Sequence, residues 1–464
     1  GKMLDAAKNK GEPVPYLRNV NVRWGDFDLS DLQEMKVTDD EFAALAVRNG
    51  DLFVCEGGEP GRCAVWRGGP QRLVFQKALH RVRTLEGIEP AYAAQFLAFA
   101  AANQLFDDHL TGTTIKHFPQ VALQRFGIPL PPLAEQRRIV AKLDALTARL
   151  TRARAELDRV PVLAERMRQA AVKDAFAGVL TNAWRRKNPG HSAASHADTA
   201  AAFVSVAGSK RRKPASEIDW KPEIELPEEW RWASVDELIA VAQYGSSSKT
   251  SDDASGIPVL RMGNIQRGEL DWSNLKFLPS DHFEFPGLFL DEGDLLFNRT
   301  NSFELVGKSA VFRGRDCPAS YASYLIRLKC SAIMPDLLAR YINSPYGRAW
   351  IDKVASQQVG QANVNGTKLK ALGIPLPPAE EQEEILRLLN AAFARADRLE
   401  AEAAKARALL DRMEAAILAR AFRGELVPQD PADEPAHLLL DRIRTQRAAA
   451  PKPKRGRRKK VSAG

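Results

Sequence analysis

Apolar or small side chains recur at alternating steps of four and three through Ile139, Leu143, Leu146, Leu150, Ala153, Leu157, Val160, Ala164, Met167 and Ala171. That spacing puts them on one stripe of an α-helix. Its persistence for about five heptads predicts a coiled-coil seam, because so long a helix rarely finds a globular core to cover it. The stripe returns 246 residues further on as Ile385, Leu389, Ala392, Ala396, Leu399, Ala403, Ala406, Leu410, Met413 and Ile417. Two such seams in one chain are expected to pack together. Each run is opened by Leu-Pro-Pro, where prolines end the preceding strand and the second suits the first helical turn. Glu135 and Glu381 follow closely, favourable to the helix dipole. From there to Gly178 or Gly424 is about 42 residues, roughly 60 Å of helix. Pro161 removes one helical hydrogen bond and predicts a kink near Val160; its twin is Arg407.

In front of each helix the pattern changes to short runs of Val, Leu and Phe broken by Gly and Asp. Val20–Trp24, Asp51–Val54 and Cys63–Trp66 in the first copy, and Val259–Ile265, Asp294–Asn298 and Ser309–Phe312 in the second, read as strands with turns. Each region is expected to be a mixed α/β domain with a mostly β core. The chain is a duplication. GIPLPPLAEQRRIV from Gly127 faces GIPLPPAEEQEEIL from Gly373, and AFAG ending at Gly178 faces AFRG ending at Gly424, at an offset of 246. Upstream the offset is 243, pairing Leu17, Arg18, Asn21 and Val22 with Leu260, Arg261, Asn264 and Ile265, and Gly50-Asp51-Leu52 with Gly293-Asp294-Leu295. Three residues are then inserted, so that Arg62–Trp66 lines up with Lys308–Phe312 at 246, and Pro90 and Pro335 each open a helical pattern. Between these framework positions the two regions differ almost everywhere: same scaffold, different surface.

The expected fold is therefore α+β, with two mixed domains separated by two long helices packed as an antiparallel intramolecular coiled coil, an internal duplication with pseudo-two-fold symmetry. The expected boundaries are 1–127 and 226–373 for the globular domains, 128–181 and 374–424 for the helices, 182–225 for a linker and 425–464 for a tail. No counterpart of Leu226–Tyr244 precedes Gly1, so the first domain is expected to lack about 20 residues relative to its twin. The linker carries Pro189, Pro214 and Pro222 around the basic cluster Lys210–Lys213, read as a solvated loop.

Composition narrows the function. At 464 residues, 45% apolar and 27% charged, the chain suits about three globular units and excludes collagen-like or disordered classes. The longest uncharged stretch, Ala91–Phe106, has 16 residues and is too short to span a bilayer, so no membrane partner is expected. Of the net charge of +9, seven charges sit between Lys452 and Lys460, and no apolar periodicity follows Leu440; residues 425–464 therefore read as a basic, largely disordered tail. DNA binding has to be argued from elsewhere. Cys55, Cys63, Cys317 and Cys330 include no CxxC, and the scattered histidines lack metal-ligand spacing, so neither a disulfide framework nor a metal is expected and a reducing, cytoplasmic setting fits. No phosphate-binding loop or Gly-rich strand-to-helix turn is present. Asn343-Ser344-Pro345-Tyr346 is similar to the Asn-Pro-Pro-Tyr element of amino-methyltransferases, but it follows the helix opened by Pro335, where a Pro-containing turn suffices to explain it.

The paired PLPPxxEQ motifs (Pro129–Gln136, Pro375–Gln382), the paired AFxG helix ends, the LRxxN strand of each domain and the Gly293–Lys308 segment resemble type I restriction-modification specificity subunits over nearly the whole chain. The resemblance implies a non-catalytic reader of double-stranded DNA that recruits two methylation subunits and, with restriction subunits, forms the full complex. AdoMet, ATP and Mg would then belong to those partners and not to this chain. A coiled-coil scaffold without a nucleic-acid role and a self-contained DNA methyltransferase are the alternatives.

Two unlike domains on one spacer are expected to read a bipartite, asymmetric site, since half-sites approached from one face of B-DNA lie ~34 Å apart and a ~60 Å helix pair can fix that separation like a ruler. Base reading needs donor and acceptor forks, Arg to guanine and Asn or Gln to adenine. The candidates are Arg18, Asn19, Asn21 and Arg23 in the first domain and Arg261, Asn264, Arg299, Asn301, Gln361 and Asn363 in the second. Lys116, His117 and Lys308 suit phosphate contacts that fix register. Pro131, Glu135, Gln136, Ile139 and Leu143, with Pro377, Glu381, Gln382, Ile385 and Leu389, are the candidates for the spacer and for docking partner subunits.

Overall fold

The computed structural model describes residues 1–464 except 4–9, 69–71, 113–115, 191–214, 359–360 and 450–464. The chain divides into two compact units, Gly1–Leu157 with Lys405–Gly464 and Asp158–Ala404. Each unit therefore holds one globular domain and part of both long helices.

Those helices are Leu133–Phe176 and Ala379–Phe422, 44 residues each, or about 66 Å at 1.5 Å per residue. The carbonyl of Pro132 accepts from Gln136 N–H at 2.9 Å and that of Pro378 from Gln382 at 3.0 Å. The second proline of each pair thus stands just outside the helix as its capping residue, one position earlier than expected. The first helix runs on through Pro161. In the first unit Ile139 and Leu143, each 1% exposed, cluster with Ala421, Ile417, Leu418 and Phe422. In the second unit Val172, Ala175, Phe176, Ile385 and Leu389 join the main core.

The helix segments run antiparallel within each unit. Arg154 meets Asp411 at 2.7 Å and Glu414 at 2.6 Å in the first, and Arg168 meets Asp397 at 2.5 Å and Glu400 at 2.9 Å in the second. Two expected seam residues, Leu399 and Met413, are 42% and 45% exposed. Their successors Glu400 and Glu414 face the neighbouring helix instead, because an α-helix drifts by roughly 20° per heptad against a strict 3.5-residue repeat.

The first domain is built on Leu52–Cys55, which pairs antiparallel with Cys63–Val65 on one side and Leu79–Val82 on the other. The helix Pro90–Ala102 covers this sheet through Ala93, Leu97 and Ala100. A second sheet sets Glu12–Leu17 against Gln33–Val37 antiparallel and Val74–Phe75 parallel. The second domain repeats both. Leu295–Asn298 lies between Ser309–Val311 and Leu325–Cys330, extended by Ile239–Tyr244, with the helix Pro335–Ile342 behind. Ile257–Leu260 pairs antiparallel with Lys276–Leu278 and parallel with Ser320–Tyr321. In addition, Gly373–Leu376 pairs antiparallel with Arg231–Ser234.

Three expectations need correction. Val20–Trp24 is not a strand: Asn19–Asn21 forms a single 3-10 turn, and in the second domain the strand stops at Leu260 before the same turn at Met262–Asn264. The linker is ordered at its ends, with a helix at Asn182–Lys187, Asp219 N–H donating to Ala371 O at 2.9 Å and Ser216 bonding Asp236; the cluster Lys210–Lys213 lies outside the described residues. The tail contains the helix Ala436–Ala449, which docks on the turn at Glu86–Gly87 of its own unit. Leu439 and Ile443, 0% and 7% exposed, are buried one turn apart, Leu439 lies against Gly87 and Gln446 bonds Glu86 at 3.1 Å. Two apolar residues at i and i+4 suffice for this face, too few to register as a periodicity. The cationic run 452–460 lies outside the described residues.

Candidate nucleic-acid interface

The sequence candidates fall into groups that do different things. Asn21 and Asn264, 2% and 4% exposed, are the centre of the two 3-10 turns. Asn21 Oδ1 accepts the Arg18 N–H at 2.9 Å while its Nδ2 donates to the carbonyls of Asp28 and Asp31. Asn264 does the same with Arg261, Asp271 and Ser273. Both amide protons are used inside the turn, so these two residues shape the domain rather than face a base. Their neighbours are partly committed as well: Arg18 Nη2 donates to the Asp31 carboxylate at 2.7 Å, and Arg261 Nη2 to the Asn274 carbonyl at 2.8 Å. Arg23 is exposed beside Asp28, and Lys116 is exposed near Asp107.

A second group converges on the loop that follows the central strand of each domain. In the second domain this loop is Arg299–Gly307. Arg299 lies over the Tyr244 ring, 5.0 Å from its centroid, and its Nη2 donates to Asn363 Oδ1 at 3.3 Å. Thr300–Asn301 pairs with Gln361–Asn363, which pairs in turn with Ser356–Gln358, so Arg299, Asn301, Gln361 and Asn363 are carried on one small sheet and its edge. Lys308 closes the loop, its carbonyl accepting from Asn298 N–H at 2.9 Å, and among the described residues its side chain makes no ion pair.

The first domain has the same loop three residues shorter, Glu56–Gly61. The correspondence is bond for bond: Gly61 N–H to Cys55 O and Gly307 N–H to Asn298 O; Glu56 N–H to Ala78 O and Arg299 N–H to Tyr324 O; Phe118 N–H to Glu56 O and Val364 N–H to Arg299 O. Glu56 therefore stands where Arg299 stands, His117 where Asn363 stands, and Arg62 where Lys308 stands. Asn19 joins this group, its Nδ2 reaching Gly57 O at 3.5 Å and its carbonyl accepting from Arg62 Nη2 at 2.8 Å. Glu59 is held by Trp24 Nε1 at 2.6 Å and Arg62 Nη1 at 2.7 Å. His117 packs close against this loop: a Cβ on Gly57 would lie 3.0 Å from its Nδ1, so a larger residue there would require the imidazole to shift. Glu56, Arg62, Tyr244 and Tyr324 were not singled out from sequence, although the switch of offset between Cys55 and Arg62 marks this loop.

The PLPPxxEQ residues have a structural task. Gln136, 0% exposed, accepts from Glu89 N–H at 2.9 Å and donates to the carbonyls of Gly87 at 3.1 Å and Pro131 at 2.8 Å. Gln382, 1% exposed, accepts from Met334 N–H at 2.8 Å and donates to Ala332 at 3.3 Å and Pro377 at 3.2 Å. One side-chain amide thus clamps the entry to each domain helix onto each long helix, giving each domain a fixed orientation on its helix. Glu381 is fully buried with three donors: Thr181 Oγ1 at 2.6 Å, Arg185 Nη1 at 2.5 Å and Trp230 Nε1 at 2.8 Å. Glu135 is 5% exposed with none among the described residues, and burial pushes its carboxyl above the usual glutamate range.

Residues 49–158 and 227–406 match the family described as Type I restriction modification DNA specificity domain. The chain belongs to this family. It is 27% identical to the type I restriction enzyme EcoKI specificity subunit of Escherichia coli (strain K12) over 97% of this chain and 92% of that protein. It is 29% identical to the EcoBI specificity subunit of Escherichia coli over 88% and 82%. Among solved structures, the HsdS subunit from Thermoanaerobacter tengcongensis superposes with a TM-score of 0.60 at 22% identity, covering 90% of this chain and 92% of that one, a likeness of fold. Members of the type I specificity family carry the DNA sequence specificity of a restriction-modification complex and are its non-catalytic component, and this is the role of the present chain. It acts in an assembly with other subunits and DNA. The scaffold and methyltransferase alternatives are not favoured. Among the described residues no helix is long and apolar enough to cross a membrane.

Proposed function

We propose that the chain reads a bipartite, asymmetric DNA site, one half per domain, through the twin loops Glu56–Gly61 and Arg299–Gly307 and the residues around them. The observation that carries this reading is the opposite chemistry at one scaffold position. Arg299 offers the donor fork that suits guanine O6 and N7, with Asn363 beside it; Glu56 is an acceptor suited to a cytosine or adenine amine, with His117 beside it. Asn19, Asn301 and Gln361 extend these surfaces, while Arg23, Lys116, Arg62 and Lys308 supply phosphate contacts that fix register. Arg18 and Arg261 orient the neighbouring turns.

The helices Leu133–Phe176 and Ala379–Phe422 set the separation of the half-sites, and their entries at Pro131 and Pro377 lie where two methylation subunits would dock, one per repeat, with restriction subunits completing the assembly. AdoMet, ATP and Mg are assigned to those partners, and the complex to the cytoplasm. The test is an exchange of residues 227–372 for the second domain of another family member, followed by methylome sequencing with the methylation partner present. One half-site is expected to change and the other to persist; a simultaneous change of both would refute modular reading.

A further inference from the structure

An arginine reads a guanine best when its fork is already aimed, because every side-chain torsion frozen on binding subtracts from the energy gained. Arg299 opens its loop with main-chain bonds on both sides: its N–H donates to Tyr324 O at 3.0 Å and its carbonyl accepts from Val364 N–H at 2.9 Å. Those bonds fix the backbone and leave the long side chain to be held by something else. Tyr244 is placed to hold it. The guanidinium carbon lies 5.0 Å from the centre of the Tyr244 ring, within the range in which a ring face attracts a cation.

The ring itself is fixed at both ends. Tyr244 is the last residue of Ile239–Tyr244, where it faces Ile326, and Ile326 faces Phe297, two residues before Arg299. Its hydroxyl oxygen accepts the N–H of Gly366 at 2.8 Å, at the start of the short helix Gly366–Lys370, whose Leu369 is buried in the main core. The stack also settles which edge of the guanidinium is offered. Nε is buried without a hydrogen-bond partner, and Nη2 gives a proton to Asn363 Oδ1 at 3.3 Å. The protons that remain, on Nη1 and Nη2, form the end-on fork that suits guanine O6 and N7. Tyr244 is 44% exposed on the edge strand of its sheet, so the domain is expected to fold without the ring.

We propose that Tyr244 is a positioning residue for base recognition, whose ring face holds the Arg299 guanidinium in the orientation that reads guanine. The inference rests on Arg299 being a reading residue of the second domain. An arginine released from the ring keeps its charge and still attracts phosphate, but its fork is no longer aimed. Loss of the ring therefore lowers the discrimination between bases at one position and leaves the general affinity for DNA in place.

The experiment assembles the full chain with its methylation partner and takes the motif from methylome sequencing of the wild-type complex. Competition is then measured with duplexes carrying each base in turn at every specified position. Arg299→Ala is expected to lower discrimination at one position of one half-site by about thirtyfold. Tyr244→Leu is expected to lower it at that same position by about fivefold, with the other half-site, the affinity for an unrelated duplex and the thermal melt unchanged. Tyr244→Phe keeps the ring and should stay within about twofold of the wild type, and Tyr244→Leu should add nothing in an Arg299→Ala chain. If Arg299→Ala relaxes a position and Tyr244→Leu does not, the inference is overturned and the reading by Arg299 stands; if Arg299→Ala relaxes none, both are overturned. Equal losses at every position of both half-sites, or a Tyr244→Leu effect that adds to that of Arg299→Ala, would reduce the ring to a structural role and also overturn the inference.

Discussion

The twin loops Glu56–Gly61 and Arg299–Gly307 and the helix clamps of this molecule have diverged to opposite extents. At the clamps, Gln136 and Gln382 make the same three hydrogen bonds to the same kinds of backbone group. At the loops, identical backbone bonds carry Glu56 in one repeat and Arg299 in the other. The difference shows how a duplicated scaffold carries opposite chemistry at one position without losing its geometry: the bonds that position the loop are made by the main chain, leaving the side chain free to change.

The largest effect is expected from the clamps. Gln136→Ala or Gln382→Ala leaves a buried N–H and two carbonyls without partners, at a cost of about 3 kcal/mol each. Urea denaturation should show the two losses equal within about 1 kcal/mol; a large inequality would break the claim that the clamps are equivalent. Next come the loops. Arg299→Ala is expected to relax one base position of one half-site, and Glu56→Ala one position of the other, each with about 2 kcal/mol less discrimination. Methylome sequencing that found both substitutions altering the same half-site would contradict the pairing of Glu56 with Arg299.

The two buried glutamates sharpen the comparison further. Glu381→Gln weakens a bonded, charged group and should destabilise the protein by about 2 kcal/mol. Glu135→Gln removes a charge that burial opposes. Because the folded carboxyl keeps its proton to higher pH than the unfolded one, the stability contributed by Glu135 falls as pH rises from about 4.5 towards neutrality. The Gln variant should lack that slope and be as stable as the wild type, or more so, at pH 7. A loss of stability equal to that of Glu381→Gln in thermal melts would show that Glu135 has a partner. The smallest effect is expected at the interhelical ion pairs, where Arg154→Ala or Arg168→Ala should cost at most about 1 kcal/mol and less in high salt.

Much of the fold was legible because the duplication let each half be read against the other. The seam from Ile139 and its twin from Ile385 announced the helices, and Pro90 and Pro335 the domain helices. What escaped was local chemistry that looks alike for different reasons. An Asn at the end of a strand reads the same whether its amide is offered to a base or, like Asn21 and Asn264, spent on a turn. Gln136 and Gln382 stood out in a motif, but their three-way clamp depends on Gly87 and Ala332, nearly 50 residues away, which no local pattern links to them. Glu56 sits in a glycine-rich, acidic loop that resembles solvent-facing turn, and its relation to Arg299 straddles the change of offset. The helix Ala436–Ala449 was hidden because a short face of Leu439 and Ile443 needs the turn at Gly87 to bury it.

The ion pairs between the long helices bear on which helix can pair with which. Arg154 corresponds, 246 residues on, to Glu400, and Arg168 to Glu414. The contacts Arg154–Glu414 and Arg168–Glu400 are therefore equivalent under the internal repeat, each with its charges the reverse of the other. Two copies of the first helix laid antiparallel would set Arg154 against Arg168, and two copies of the second would set Glu400 against Glu414. Like would then face like, so these contacts weigh modestly, by an amount that salt screens, against either helix pairing with a copy of itself.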